Sequence, residues 1–231
     1  MHNRPIRLTF SGVKRGMWQL APLAIFVIPF GMAYGIAAIE RGMSSAQAIG
    51  SSVLVFSGAA QFAVLDLWDA DMSLVAVFLV TCAVGARHIL MGAALSPWVN
   101  QLGPKRRVLA ATFLSDPNFA HAHEALKEDE RDIGILVGSG AIFWVAWILG
   151  TAIGAIGGAQ VGDPSIYGID VIMPIYFAAL IAPGVIADRR WLFVVVAALV
   201  AILAQPIVPT GWNIIAAAIA GGLVGVRTID E

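Results

Sequence analysis

Apolar residues fill most of the chain in long windows, which polar or charged segments separate. The windows cover approximately residues 18–39, 48–68, 72–98, 133–156, 169–187, 191–208 and 212–226. Crossing a ~30 Å hydrocarbon core takes roughly 20 helical residues, with a usual range of about 17–25. The windows do not alternate between apolar and polar positions, and they are too long for barrel strands. The pattern predicts an all-α, polytopic helical membrane protein with about six to seven membrane segments.

The composition supports the same class. Of the 231 residues, 59% are hydrophobic and 13% are charged, and the mean hydropathy is +0.83. A soluble domain has roughly 45–50% apolar and about 25% charged residues, so the excess indicates a surface that faces a lipid bilayer. We expect one integral membrane domain over residues 1–231, with no nucleic-acid partner and no enzymatic role. Cys82 is the only cysteine, and no nucleotide-binding sequence is found, so we expect no cofactor or metal.

Basic residues place two points of the chain on the cytoplasmic side, because lysine and arginine are enriched in cytoplasmic loops. One point is the N-terminal segment, whose charged residues before the first window are all basic. The other is the segment 105–107, which reads Lys-Arg-Arg. Three windows lie between these points, and three crossings cannot join two points on one side. One early element is therefore predicted to be broken or re-entrant, unless residues 108–123 complete another crossing. The expected location is a bacterial inner membrane.

Proline and glycine interrupt two of the early windows, at residues 28–31 and 56–59. Interrupted helices expose backbone N–H and C=O groups, which transporters use as substrate ligands. The candidate ligands in and beside these interruptions are Pro29, Gly31, Ser57, Gly58 and Gln61. Each has an alternative interpretation: an ordinary kink for the proline, and hydrogen bonds between helices for the polar side chains.

Arg87 lies near the middle of the window 72–98. A permanent cation at that depth costs roughly 2.5–3.5 kcal/mol on insertion scales, unless water or a partner relieves it. One interpretation is that the guanidinium binds the carboxylate of a substrate through two parallel hydrogen bonds. The other is a structural ion pair with Asp116 or Asp170 on another helix. The two are compatible, since protein and substrate carboxylates can alternate on one arginine.

The segment 108–123 is apolar at its start and polar at its end. Asp116 followed by Pro117 predicts a helix break that the aspartate caps. Asp116 is then either a proton- or amine-binding carboxylate near membrane depth, or a cap at the water interface. Histidines at positions 88, 121 and 123 titrate near neutral pH in their ordinary state, but we expect surface or hydrogen-bonded roles for them.

The order and spacing of several short segments resemble the AzlC family, the large subunits of branched-chain amino acid exporters. The resemblance covers nearly the whole chain. The segments that carry it are Pro29-Phe30-Gly31, residues 55–62 (VFSGAAQF), Arg87-His88 with Met91-Gly92, Leu114-Ser115-Asp116, Leu149-Gly150-Thr151, Gly168-Ile169-Asp170, and Pro174 with residues 177–180 (FAAL). Two positions depart from the family pattern. Gly85 stands where relatives often have asparagine, and Pro117 stands where they have the glutamate of a Thr-Asp-Glu signature.

The resemblance implies a function that composition alone does not give. It implies export of branched-chain amino acids, with methionine as a further substrate, and a small second membrane subunit of the AzlD type. With no nucleotide-binding sequence, we expect an ion gradient to drive this export. Arg87, with Asp116 or Asp170, would then bind the amino-acid substrate. A passive channel for a small solute, or a structural subunit whose partner carries the site, stays open as an alternative.

Overall fold

The structure, a computed structural model, describes residues 5–65, 67–68, 73–157, 191–208 and 212–227. All the named elements in these ranges are helices, in agreement with the predicted all-α class. They are α1 (Phe10–Ala24), α2 (Val27–Glu40), α3 (Ser45–Leu54), α4 (Gly58–Leu65), α5 (Leu74–Gly85), α6 (Arg87–Val99), α7 (Pro104–Thr112), α8 (Asp116–Lys127), α9 (Gly134–Gly157), α10 (Trp191–Ala204) and α11 (Trp212–Arg227). The chain divides into two compact units: Met1–Gly58 with Arg87–Asp170, and Ala59–Ala86 with Val171–Glu231. The expectation of one membrane domain stays a prediction.

Within the described residues, two helical stretches are long and apolar enough to cross a membrane, Val77–Val99 and Gly134–Gly157. The pair α1 and α2 is a third candidate if the two bent helices form one span. Arg87 lies near the middle of the first stretch, where the sequence placed it. The fold is therefore that of a helical membrane protein. The predicted window 169–187 lies outside the described residues.

The helices α1 and α2 form one continuous path that bends by 65° at residues 25–26. Pro29 accounts for the position of the bend, because a proline ring lacks an N–H and clashes with the carbonyl four residues earlier. That carbonyl belongs to Ile25, which instead accepts a shorter-range bond from the N–H of Ile28 (3.2 Å). The prediction of a break at residues 28–31 is therefore wrong in its position: those residues lie inside α2, and the interruption precedes them.

Both α1 and α2 pack along α9 and run in the same direction as α9. Glycines let the backbones approach closely. A Cβ on Gly138 would overlap the carbonyl oxygen of Val13 in α1, and a Cβ on Gly154 would overlap that of Met32 in α2. Small residues at such spacing commonly form close contacts between membrane helices. Gly150 makes a similar contact, since a Cβ there would overlap the carbonyl oxygen of Ile28 in α2.

The helix α3 runs antiparallel to α9, from the C-terminal end of α9 to about its middle. At the start of α3, the hydroxyl of Ser45 donates to the carbonyl of Ala155 (3.0 Å). Near the end of α3, the carbonyl of Val53 accepts from Nε1 of Trp144 (3.2 Å). Non-helical residues 55–57 follow, before α4 begins. The second predicted break is confirmed, and it lies beside the middle of α9.

The helices α7 and α8, joined by residues 113–115, each contact α9 and form a helical hairpin whose tip, at that turn, also lies beside the middle of α9. At the tip, the ring of Phe113 meets the ring of Trp144 edge to face, with centroids 6.0 Å apart. At the open end, His123 in α8 packs against Trp98 near the end of α6, with ring centroids 5.9 Å apart. At 1.5 Å per residue, α7 and α8 rise only about 14 and 18 Å, too little to cross a ~30 Å core.

The N-terminal segment, the open end of the hairpin and the start of α9 meet at one end of the first unit. The N–H of Arg7 donates to the carbonyl of Arg131 (2.8 Å), and the carbonyl of Arg7 accepts from the N–H of Ile133 (2.8 Å). One buried apolar cluster joins the three parts and includes Ile6, Leu102, Leu126 and Ile133. The two basic segments that the sequence assigned to the same side of the membrane therefore lie at the same end of α9.

In the second unit, α10 and α11 pack against each other in opposite directions, and α11 also contacts α5. The Cβ position of Gly221 lies 3.0 Å from Cβ of Ala197, and Nδ2 of Asn213 donates to the carbonyl of Ala201 (3.4 Å). Gly221 is thus a residue of the contact between α10 and α11.

Candidate functional site

Arg87 and Asp116 form an ion pair at the tip of the hairpin. Arg87 is the first residue of α6 and Asp116 the first of α8, and Nη1 lies 3.1 Å from Oδ2. The two side chains are 32% and 25% exposed, so water is largely removed from the pair but still reaches it. The first turn of a helix favours a negative charge, which suits Asp116. Of the two carboxylates that the sequence offered to Arg87, Asp116 lies beside it, and Asp170 lies outside the described residues.

Asp116 satisfies Arg87 only in part. A guanidinium has five N–H donors on a rigid fork, and its described contact with Asp116 is made by Nη1. The Nε atom of Arg87 is buried and has no hydrogen-bond partner among the residues that the structure describes. Leaving a buried donor unpaired costs about 1–3 kcal/mol, and more for a charged group. Arg87 therefore has a buried hydrogen-bond donor that is unsatisfied among the described residues, and a carboxylate is the group that matches the fork of a guanidinium.

The carboxylate of Asp116 is free for this pair because other residues cap α8. Ser115 is the N-cap, and Oδ1 of Asn118 accepts from its backbone N–H (2.7 Å) and its hydroxyl (3.1 Å). Asn118 is fully buried, and its Nδ2 also donates to the carbonyl of Leu136 in α9 (3.0 Å). The predicted helix break is confirmed. The prediction that Asp116 caps it is wrong, because Ser115 and Asn118 form a capping box.

Trp144 connects the hairpin tip with the end of α3. Its ring touches Phe113 at the tip, and its Nε1 bonds to Val53 near the last turn of α3. Two helical elements that stop halfway along α9 therefore meet at one tryptophan. The signal in the sequence was the position of Trp144 inside an apolar window, away from the edges where interfacial tryptophans lie. The contact partners could not be read from the sequence.

Buried hydroxyl groups join α2, α3 and α9 near the break after α3. The hydroxyls of Ser52 and Thr151 are 2.8 Å apart and both residues are fully buried. The hydroxyl of Tyr34 bonds to that of Ser51 (2.7 Å), and its ring stacks on Trp147 with centroids 5.9 Å apart. These groups satisfy one another, so they fix the helices around the break. Sequence reasoning missed them, because single hydroxyls in apolar windows do not reveal their partners.

The predicted ligands of the two interruptions lie in different places. Gly58 begins α4, and a Cβ there would lie 2.8 Å from Cη2 of Trp147. Gly31 packs against the backbone of the same tryptophan, since its Cβ position lies 2.6 Å from the carbonyl oxygen. Ser57 is half-buried in the break, Pro29 lies inside α2, and Gln61 is buried in the second unit. Gly31 and Gly58 thus both contact Trp147, one at its backbone and the other at its ring, and substrate binding by these residues stays a prediction.

Two histidines of α8 lie outside the candidate spans. Burial lowers the pKa of His121, whose Nε2 lies 3.2 Å from Oε1 of Gln19. Burial and the nearby Lys127 lower the pKa of His123, and Glu124 opposes this shift. Both shifts favour the neutral imidazole, and the roles of the two histidines stay as expected, at the surface or in hydrogen bonds.

The segment that holds this site is shared with known proteins. Residues 22–161 match the family profile described as AzlC protein. The chain is 30% identical over 189 residues to the inner membrane protein YgaZ of Escherichia coli, a match that covers 79% of this chain and 76% of that protein. It is 27% identical over 213 residues to a membrane protein of Archaeoglobus fulgidus, covering 91% of this chain and 93% of the relative.

No solved structure matches the chain. Arg87 and Asp116 both lie inside the matched segment, and Asp170 lies beyond its end. The family profile covers more than half of the chain, and both relatives are named as membrane proteins. The resemblance found in the sequence is confirmed: this membrane protein belongs to the AzlC family.

Proposed function

We propose that the chain is the large subunit of an exporter of branched-chain amino acids and methionine, and that Arg87 binds the substrate carboxylate. The observation that carries the proposal is the position of Arg87 and the incomplete hydrogen bonding of its guanidinium. It lies near the middle of a candidate span, its one described anionic partner is Asp116, and its buried Nε is unpaired within the described residues. Membership of the AzlC family supports the transport class, and the substrates follow from the resemblance.

In this proposal the substrate carboxylate approaches the free edge of the Arg87 guanidinium. The ion pair with Asp116 holds the start of α6 against the hairpin tip, so a second carboxylate on the same cation weakens that link. We propose Asp170, which lies outside the described residues, as a further carboxylate with which Arg87 exchanges. Exchange of partners gives two arrangements of α6 and the hairpin, which is what alternate opening of the site to the two sides of a membrane requires.

The apolar side chain of the substrate is proposed to lie against the aromatic residues beside the site. Phe113 and Trp144 meet at the hairpin tip. Phe56, in the break after α3, packs against a buried cluster of Ala24, Phe143 and Ala146. An apolar pocket separates side chains that differ by one methylene by only about 1–3 kcal/mol. Leucine, isoleucine, valine and methionine would therefore all be accepted.

An ion gradient is the proposed energy source, and an AzlD-type membrane subunit the proposed partner. The N-terminal segment is proposed to lie on the cytoplasmic side of a bacterial inner membrane. The basic residues of the N-terminal segment and of α7 support this orientation, because they lie at the same end of α9 and cytoplasmic loops are rich in such residues.

The experiment is export of preloaded radiolabelled leucine, valine and methionine from cells that express the chain with its small partner. Export should saturate, should fall when an uncoupler removes the proton gradient, and should be lost in Arg87→Ala. Arg106→Ala is the matched control, because Arg106 is exposed in the first turn of α7, away from the hairpin tip.

The results of this experiment distinguish a gradient-driven exporter from a passive channel. Export that neither the uncoupler nor Arg87→Ala changes, in a variant that reaches the membrane at the wild-type level, removes the proposal. Flux that does not saturate and needs no gradient would instead indicate a passive channel.

A further inference from the structure

We infer that Asp116 binds the ammonium group of the substrate, so that the Arg87–Asp116 pair recognises a whole zwitterionic amino acid. The inference rests on the proposed function and deepens it, since it assigns the second charged group of the substrate to a residue. The ion pair uses Nη1 of Arg87 and Oδ2 of Asp116. Among the atoms that this contact does not use, the buried Nε of Arg87 and Oδ1 of Asp116 have no described partner.

Apart from Arg87, the described surroundings of Asp116 offer its carboxylate few hydrogen-bond donors. Pro117, the next residue, has no N–H to donate. The capping groups of Ser115 and Asn118 bond to each other, and the amide of Asn118 is further engaged by the carbonyl of Leu136. Arg87 is the described cation at this carboxylate. Asp116 can therefore accept hydrogen bonds from a further cationic donor.

Among the described residues, no second cationic side chain is found beside the carboxylate of Asp116. The helix α9, which packs against α8, carries no ionisable side chain between Gly134 and Gly157. The three cations of α7, at residues 105–107, lie in its first turn, at the opposite end from the tip. On α6 the ionisable neighbour of Arg87 is His88, and on α8 the histidines and Glu124 follow after the first turn. Arg87 and Asp116 thus form the charged centre of the tip.

Charge balance favours a zwitterion over a simple anion at this centre. The ion pair is neutral, and adding a lone carboxylate would leave two negative charges on one cation in a partly buried site. An α-amino acid brings its own positive charge one carbon away from its carboxylate. If the carboxylate binds Arg87 and the ammonium binds Asp116, each charge contacts an opposite charge and the site stays neutral. Charge-assisted hydrogen bonds of this kind are shorter and stronger than those between neutral groups.

The test measures binding of three ligands to the purified full-length protein. They are leucine, 2-hydroxy-4-methylpentanoate, which replaces the ammonium by a hydroxyl, and leucinol, which lacks the carboxylate. Leucine should bind at least about tenfold more tightly than either analogue, in line with the loss of one charge-assisted bond. In Asp116→Asn, the affinity for leucine should fall to about that for the hydroxy acid, and the hydroxy acid itself should bind no more weakly than to wild type. Asp116→Glu should recover part of the leucine affinity, and Asp129→Asn, at an exposed aspartate, should leave it unchanged.

The two proposals fail in different ways. If leucine does not bind the wild-type protein, the proposed function fails. If leucine binds but the hydroxy acid binds equally well, only the role of Asp116 is wrong, and this result does not depend on any variant. Leucine binding that Asp116→Asn leaves unchanged would also overturn the inference.

Discussion

Arg87 and Asp116 each begin a helix, and their side chains meet with 3.1 Å between Nη1 and Oδ2. The contact joins α6 to the tip of the α7–α8 hairpin beside the middle of α9. Their separation in sequence covers the end of one candidate span, a basic turn and the whole of α7. Asp116 thereby supplies the opposite charge that a cation inside an apolar candidate span requires.

Exchange of the two charges tests whether this pair is structural or functional. Arg87→Asp and Asp116→Arg should each lower the melting temperature in detergent, because each leaves two like charges together in a partly buried place. The double variant should regain much of that loss but should not transport leucine, since the guanidinium then lies on the hairpin and not on α6. Transport restored in the double variant would mean that the pair only holds the helices together.

The close contact between α1, α2 and α9 depends on glycine. Gly138→Ala and Gly154→Ala should each destabilise the protein by about 1–3 kcal/mol, because the added Cβ overlaps a backbone carbonyl of α1 or α2 that cannot turn away. Gly157→Ala is the matched control on the same helix, where the added Cβ meets nothing within 4 Å. Thermal unfolding in detergent measures all three. Equal melting temperatures for the three variants would contradict the described packing.

Asp132 links the N-terminal segment to the start of α9 through hydrogen bonds. Its Oδ1 accepts from the N–H groups of Thr9 (3.1 Å) and Gly134 (2.9 Å), and its Oδ2 accepts from the hydroxyl of Thr9. Asp132→Ala should therefore expose the chain at Arg7 to trypsin and raise the cleavage rate several-fold, as about 1–3 kcal/mol of hydrogen bonding is lost. Mass spectrometry of the fragments measures the rate of cleavage at Arg7.

The control is Asp129→Ala, at an exposed aspartate beside Arg131, which should be cleaved at the wild-type rate. If trypsin cleaves it at Arg7 as fast as Asp132→Ala, the hydrogen bonds of Asp132 do not hold the N-terminal segment in place.

The hydroxyls of Ser52 and Thr151 form a buried pair that a double-mutant cycle can measure. Ser52→Ala and Thr151→Val should each cost about 1 kcal/mol or more, since each leaves the other hydroxyl with one bond fewer. The double variant should cost less than the sum of the two. Strictly additive losses in unfolding free energy would show that the two hydroxyls do not interact.

The sequence predicted the helical membrane class, the break after α3 and the central position of Arg87, because each depends on local properties. Apolar length indicates a span, and a cation in an apolar window needs a partner wherever it lies. The break near Pro29 was misplaced by three to four residues, since the clash of a proline ring acts on the carbonyl of Ile25 rather than on the proline itself.

The hairpin and its partners could not be read from the sequence. The segment 108–123 has neither the length nor the hydropathy of a span, so its path depends on contacts of Phe113 with Trp144 and of His123 with Trp98. Asp116 looked like a cap because aspartate commonly is one. Ser115 is the N-cap instead, because Asn118, three residues later, completes a capping box with it and also donates a hydrogen bond to α9.

The most direct measurement of the central claim compares the binding of leucine and leucinol to purified wild-type protein and to Arg87→Lys. Lysine keeps the positive charge but lacks the fork that binds a carboxylate through two hydrogen bonds. We predict that wild type prefers leucine to leucinol by at least about tenfold, and that Arg87→Lys loses most of this preference while its affinity for leucinol changes little. Equal binding of the two ligands to wild type, or an unchanged preference in Arg87→Lys, would contradict the claim that Arg87 recognises the substrate carboxylate.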